Sequence, residues 1–253
     1  YEIMPSLVGS EMCIRDRYDT AGFPKDSAYV FRAEWTDYHK APFVHIFPHW
    51  DFNPGQTVDV RVCSNAPRVE LFLNGDSMGA FDIDHAHGEK LTADYSIAYA
   101  PGELKALAYD EGGRVIAEDI TRSFGDAARL EVSADKSALR ADGRDIAYIE
   151  VSALDSDGNF CANAGNRVNV TVEGAGRLLG LDNGDSTDYD QYKGTSRRLF
   201  SGKMLAVIGS VRESGGITVR FTSPGLPDSV IRLDSVPAAE IPGASCSERV
   251  SAA

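Results

Sequence analysis

The chain has 253 residues, 43% of them apolar, with no strong compositional bias, so it is long enough for more than one hydrophobic core. Lysine plus arginine number 25 against 38 aspartates and glutamates, a net charge of −13 that repels phosphate backbones and anionic membrane surfaces and argues against nucleic acid or membrane as partners. No window approaches the roughly 18 apolar residues of a membrane span, and Cys13, Cys63, Cys161 and Cys246 are too scattered for a zinc site or a disulfide framework.

The first residue is Tyr1 rather than methionine and no basic-then-apolar leader follows it, so the expectation is that a natural beginning is missing. Residues 4–17, "MPSLVGSEMCIRDR", show neither alternation nor a helical stripe. They resemble translated sequencing-adapter DNA and are expected to pack on nothing; the Ser-Glu pair within "GSE" is therefore not taken as a catalytic site. From Tyr18 the pattern becomes legible. "YDTAGFPKDSAYVFRAEW" holds a Gly-Phe-Pro turn, then Asp26 or Ser27 as helix N-cap, then a helix of about three turns over 26–35 with Tyr29, Val30 and Ala33 on its apolar face.

Residues 42–52, "PFVHIFPHWDF", set His45 and His49 four apart and close on Trp50 and Phe52. On a helix the two histidines could share a zinc ion, but Pro48 lies between them and the neighbours alternate as in a strand. In a strand the rings stand roughly 13 Å apart, and no third ligand is near in sequence, so no metal is expected. Trp50 is a candidate sugar-stacking residue if its face is exposed, against the plainer reading that it fills a joint between neighbouring parts of the fold.

Beyond Pro42 the period is two. Val58, Val60 and Val62 alternate with Thr57, Asp59 and Arg61; Val69, Leu71 and Leu73 lead to Asn74-Gly75, a strong hairpin-turn dipeptide. "DEGG" at 110–113 marks another turn between alternating runs. After the break "FGDAA" at 124–128 the alternation restarts with Leu130, Val132 and Ala134 on one face, then Ile146, Tyr148 or Ile149, and Val151. Further strands are read at "RVNVTVEG", "KMLAVIGSV" and "GITVRFTS". Short strands at this spacing without intervening helices predict a mainly β fold of two immunoglobulin-like sandwiches in tandem behind one short helix.

Two acidic stretches invite calcium. In "DSDGN", counting from Asp155, the sixth position is Phe160 and the twelfth Asn166, where a calcium loop needs glycine and a bidentate glutamate, so a hairpin turn is preferred. "LDNGDSTDYDQY" carries Asp182, Asp185, Asp188 and Asp190 with no base among them; the plain reading is a solvated loop, the sharper one a site for calcium or a partner's basic groups. No phosphate loop and no Ser/His/Asp arrangement is visible.

Taken in order, "AGFPKDSAYVFRAEW", "VHIFPHWDF", "SNAPRVELFLNGDSMG", "YAPGELKALAYDEGGRVIA", "ARLEVSADKSALRADGRDIAYIEV", "LLGLDNGD" and "YKGTSRRLFSGKMLAVI" resemble the C-terminal part of bacterial glycoside hydrolase family 2 enzymes of the β-galactosidase type. The resemblance covers about 18–236. It implies the last loop and helix of a catalytic (β/α)8 barrel at 18–41, a first accessory sandwich at 42–124, a second at 127–236, a loose tail at 237–253 and a non-native leader at 1–17. Residues 42–52 become a structural hinge between barrel and first sandwich.

The same resemblance implies a retaining glycosidase acting on a β-linked oligosaccharide or galactoside, without a cofactor; the compartment stays open, with a periplasmic or extracellular one favoured over the cytoplasm. Its accessory modules would shape the cleft or hold a homo-oligomer together. Its two catalytic glutamates, about 5 Å apart, belong to upstream barrel strands, and no carboxylate here matches either. The last barrel loop, 18–25, makes Asp19 and Phe23 candidates for the rim of the sugar site; alternatively Asp19 caps the turn and Phe23 packs under the helix. Without its barrel the helix is expected to expose Tyr29, Val30 and Ala33. A rival class is a surface or secreted protein whose immunoglobulin-like modules bind partners, which has no reason to carry "GFPKDSAYVFRAEW".

Overall fold

The computed structural model describes residues 17–88 and 91–237. The leader, apart from Arg17, and the tail beyond 237 lie outside the described residues. Helix α1, Asp26–Trp35, is the only helix among them. It starts one residue earlier than a cap at Asp26 would require and two earlier than one at Ser27: Lys25 is the N-cap and offers no side-chain bond. Asp26 instead lies in the first turn, where a negative charge opposes the positive end of the helix dipole.

Sixteen strands follow. Strands β1 (Val44–Phe47), β2 (Thr57–Ser64) and β5 (Thr92–Ala98) form one antiparallel sheet in the order β1-β2-β5. A second, β4-β3-β6-β7, is built from β3 (Arg68–Leu73), β4 (Asp76–Asp82), β6 (Glu103–Tyr109) and β7 (Val115–Arg122). The strict alternation of β2 buries Val58, Val60 and Val62 against Val69, Leu71, Leu104 and Ala106 of the facing sheet. Asn74 (φ 52°) and Gly75 (φ 92°) both adopt the left-handed conformation that a two-residue hairpin demands, as the dipeptide predicted.

The second pair of sheets reads β12-β14-β10-β8 and β13-β11-β15-β16-β9. Their strands are β8 (Arg129–Ala134), β9 (Ala138–Arg140), β10 (Ile146–Leu154), β11 (Arg167–Gly174), β12 (Gly176–Asp182), β13 (Ser196–Arg198), β14 (Lys203–Ser210), β15 (Gly215–Thr222) and β16 (Ser229–Val236). The alternative at 148–149 resolves to Ile149 inward, with Ala147, Val151 and Ala153, and Tyr148 outward. Each pair of sheets encloses its own apolar cluster, one around Leu71, Leu104 and Trp50, the other around Ile149, Met204, Ile208 and Phe221. The mainly β architecture expected from the alternation is what the chain adopts.

Two expectations are corrected. Helix α1 does not expose the face named for it: Ala33 is buried, and Tyr29 and Val30 pack with it on Phe43, Phe47 and Cys63 at the edge of the first sandwich. The exposed rings are on the other side, where Phe31 and Trp35 lie 5.0 Å apart with the Arg17 guanidinium over both. Trp50 is fully buried; its indole N–H donates to the Ala100 carbonyl (3.0 Å) and its ring packs on Tyr99 and Phe52. It therefore presents no face to a sugar, because the apolar ring is worth more inside the core than in water.

Candidate functional site

Residues 17–25 form a tight loop closed by a bridge between Tyr18 and Pro24 and by the Lys25 N–H donating to the Arg17 carbonyl (2.8 Å). Asp19 holds it from inside: its carboxylate accepts the Phe23 N–H (2.9 Å), and its own N–H donates to the Phe23 carbonyl (2.9 Å). Gly22, at φ 89°, supplies the left-handed residue of the turn. Asp19 thus caps the turn through Oδ1. Phe23 is half-buried, with the Lys203 ammonium of β14 lying 5.2 Å from its ring and 5.5 Å from Phe160.

Of the two rim candidates, Asp19 is brought against the acidic stretch that follows β12. Thr20 Oγ1 donates to Asp182 (3.4 Å), and Gly184, at φ 79°, lies so close to the Asp19 carboxylate that any side chain there would collide with it. The stretch 182–192 is a succession of side-chain turns. Asp182 accepts the Gly184 N–H (3.0 Å), Asn183 the Asp185 N–H (3.1 Å), Asp185 the Thr187 N–H (2.9 Å) and Asp188 the Asp190 N–H (2.8 Å).

Its missing bases come from elsewhere in the chain. Arg197 of β13 is fully buried, donates to the Leu181 (3.1 Å) and Asp190 (3.2 Å) carbonyls and lies 3.3 Å from Asp188. Arg167 of β11 pairs with Asp190 at 2.8 Å. Burial pushes the Asp188 carboxyl up, but the Asp190 N–H and the Arg197 charge outweigh it, and its pKa is lowered. The Arg197 guanidinium also lies 4.6 Å from the centre of the Tyr192 ring. Tyr192 is about half exposed (52%) and Tyr189, at the outermost part of the loop, completely so (100%).

The histidines of the 42–52 stretch diverge in their partners. His45 Nδ1 is 3.0 Å from Asp119 of β7, and its ring stacks 3.7 Å from Tyr29 of α1. His49 meets Phe160 of the second sandwich, ring centres 5.6 Å apart, and burial lowers its pKa. Among the described residues no group of three or more His, Cys, Asp or Glu is placed to hold a metal ion. Asp155 of "DSDGN" is buried and accepts N–H bonds from Gly125 (3.0 Å), Asp157 (3.0 Å) and Asn159 (2.7 Å). These outweigh the rise that burial imposes and lower its pKa. It closes the hairpin and ties down the 124–128 break.

Tyr189, Tyr192 and Arg197 escaped the sequence reading. The tyrosines stand three apart within a stretch noted only for its carboxylates, and nothing local says which of the adjacent Arg197 and Arg198 turns inward.

Comparison with known proteins places this geometry. Residues 130–232 match the model described as glycoside hydrolase family 2 C-terminal domain 5, and residues 55–117 match a domain family of unknown function. The β-galactosidase BoGH2A of Bacteroides ovatus is 38% identical over 220 residues, which are 86% of this chain and 25% of that protein. A β-glucuronidase of Formosa agariphila is 28% identical over 224 residues, 87% of this chain and 22% of that one. Among solved structures, a β-glycosidase from Bacteroides vulgatus superposes with a TM-score of 0.81 at 29% identity, covering 86% of this chain and 27% of its own. A glycosyl hydrolase family 2 member from Bacteroides cellulosilyticus gives 0.78 at 28%, covering 87% and 31%. The chain spans about a quarter of the length of the curated relatives it matches. By these matches the chain belongs to glycoside hydrolase family 2, with residues 130–232 a C-terminal domain of that family.

Proposed function

We propose that this chain is the non-catalytic C-terminal part of a retaining β-glycosidase of the β-galactosidase type, and that residues 18–41 are the last loop and helix of its catalytic barrel. The observation that carries the reading is helix α1 and its preceding loop. One face of α1 is seated on the first sandwich, the loop before it is seated on the second, and the remaining face shows Phe31 and Trp35 to solvent. A helix with apolar residues on two sides is suited to lie between two bodies, here the sandwiches and a preceding barrel.

Glutamate usage supports the non-catalytic part. Glu103 is paired with Arg122, Glu118 with Lys105 and Glu150 with Lys203, each within an accessory sandwich, and Glu34 of α1 with His85 of the first sandwich; each faces a base rather than a second carboxylate across a cleft. The intact enzyme would take a β-linked oligosaccharide or galactoside. The chain alone should release no chromophore from a nitrophenyl β-galactoside above the buffer blank. Turnover that persists through repurification and travels with the protein would overturn the proposal.

A further inference from the structure

We propose that loop 182–192 of the second sandwich is a carbohydrate-binding platform, on which Tyr189 and Tyr192 stack a neutral β-linked sugar. A pyranose ring carries an apolar patch of axial C–H groups on one face and hydroxyls around its edge. The surface that recognises it needs an immobile aromatic face with hydrogen-bond acceptors beside it.

Tyr192 meets the first requirement. Arg197 covers one side of its ring, and because Arg197 is itself wholly buried, the covered side is the inner one; the exposed half of the ring faces out. The ring is also held through the backbone, since the Tyr192 carbonyl accepts the Leu181 N–H at 2.7 Å. A tyrosine fixed in this way loses little freedom on binding. Tyr189, three residues away on the same turn-locked loop, has no part of its surface covered, although burying an aromatic ring is favourable and the loop is rigidly bonded beneath it. Two tyrosines three positions apart on one loop, one backed by a cation and one wholly free, are placed for a ligand rather than for the core.

The acceptors are present too. Asp188 and Asp190 are matched by Arg197 and Arg167, but Asp19, Asp182 and Asp185 have no ion-pair partner among the described residues and lie at the end of the loop that meets the 17–25 turn. Three carboxylates accept hydroxyl protons well and repel a second anion, so the platform suits a neutral sugar and disfavours a uronate. The choice of a β-linked sugar rests on the glycosidase reading. If that reading holds, the contact between Asp19 and Gly184 puts the platform beside the mouth of the substrate cleft, where it would grip sugar units beyond the bond that is cut.

The test is an isotope-labelled NMR titration of the full 253-residue chain with β-linked galactotriose and, in parallel, with a β-glucuronide disaccharide, each sample also being assayed for sugar release. Galactotriose should shift the amides of 182–192 with a Kd of about 1 mM, and the uronate should bind at least about fivefold more weakly. Tyr189→Ala and Tyr192→Ala should each weaken binding about three- to tenfold, and Tyr192→Phe should keep it. Unchanged resonances elsewhere will show that the variants are folded. Absence of shifts at the highest soluble sugar concentration, shifts centred away from this loop, equal binding of the uronate, or full binding by both alanine variants would each overturn the platform. Sugar release would overturn the non-catalytic reading while leaving the platform standing; no binding with no release would do the reverse.

Discussion

Arg197 shows how much one side chain can decide. It stitches two carbonyls, a carboxylate and an aromatic ring into one loop from the middle of β13. Arg197→Ala leaves Asp188 without its cation and two carbonyls without a donor, and should lower stability by about 2–4 kcal/mol in urea denaturation, with the loss concentrated in amide protection of 182–192. A variant as stable as the parent, with that loop still protected, would contradict this account. Asp145 carries the clearest acid dependence. Lys136 donates to it at 2.8 Å and the Arg140 N–H at 2.9 Å, and these hold its pKa at about 2. The folded pKa lies below that of an unfolded aspartate, so the stabilisation is complete above the unfolded value and fades as pH falls through the folded one. The stability gap between parent and Asp145→Asn should therefore close between about pH 4 and pH 2. A gap that stays constant across that window would show that the carboxylate's charge is not the source.

Among the elements, α1 illustrates what a stripe of apolar residues can and cannot say. The position and length of the helix were legible, because Tyr29, Val30 and Ala33 fall on one face between a Pro-containing turn and the strand pattern. Which body that face would meet was not, since Tyr29 and Val30 are equally suited to a barrel or to Phe43 and Phe47. Ala33→Glu puts a charge into that contact and should free the helix without melting either sandwich. Hydrogen exchange should show lost protection over 26–35 with the strand amides unchanged. Global unfolding instead would mean that the helix belongs to the core of the first sandwich. Strand β12 illustrates the converse, for its Gly176 and Gly180 and a register shift near Leu178 break the alternation that marks β2, β3 and β10. The glycines have a tertiary cause: Gly176 meets Ile217, and Gly180 meets the Tyr192 carbonyl at 3.0 Å from where a Cβ would stand.

For the molecule as a whole, two closed cores imply two separable units, and we propose a boundary at 124–128. A polypeptide of residues 127–236 should melt cooperatively by itself, since about 100 residues suffice for one sandwich. The piece 18–124 should be the more aggregation-prone, through Phe31 and Trp35 rather than the helix face first expected. If 127–236 proves unfolded alone, the Asp155 bond to Gly125 and the Cys161 contact with the Gly125 carbonyl are part of its core and the boundary is misplaced. The sequence by itself determined the β period, the Asn74-Gly75 hairpin, the helix span and the order of motifs that carries the family, because each depends on residues within a few positions of one another. Only the tertiary structure decided that Trp50 is core, that Asp155 ties down the 124–128 break, and that Arg167 and Arg197 pair with Asp190 and Asp188 while leaving Tyr189 and Tyr192 outside. Those outcomes turn on burial and on partners tens of residues away, which no local pattern encodes.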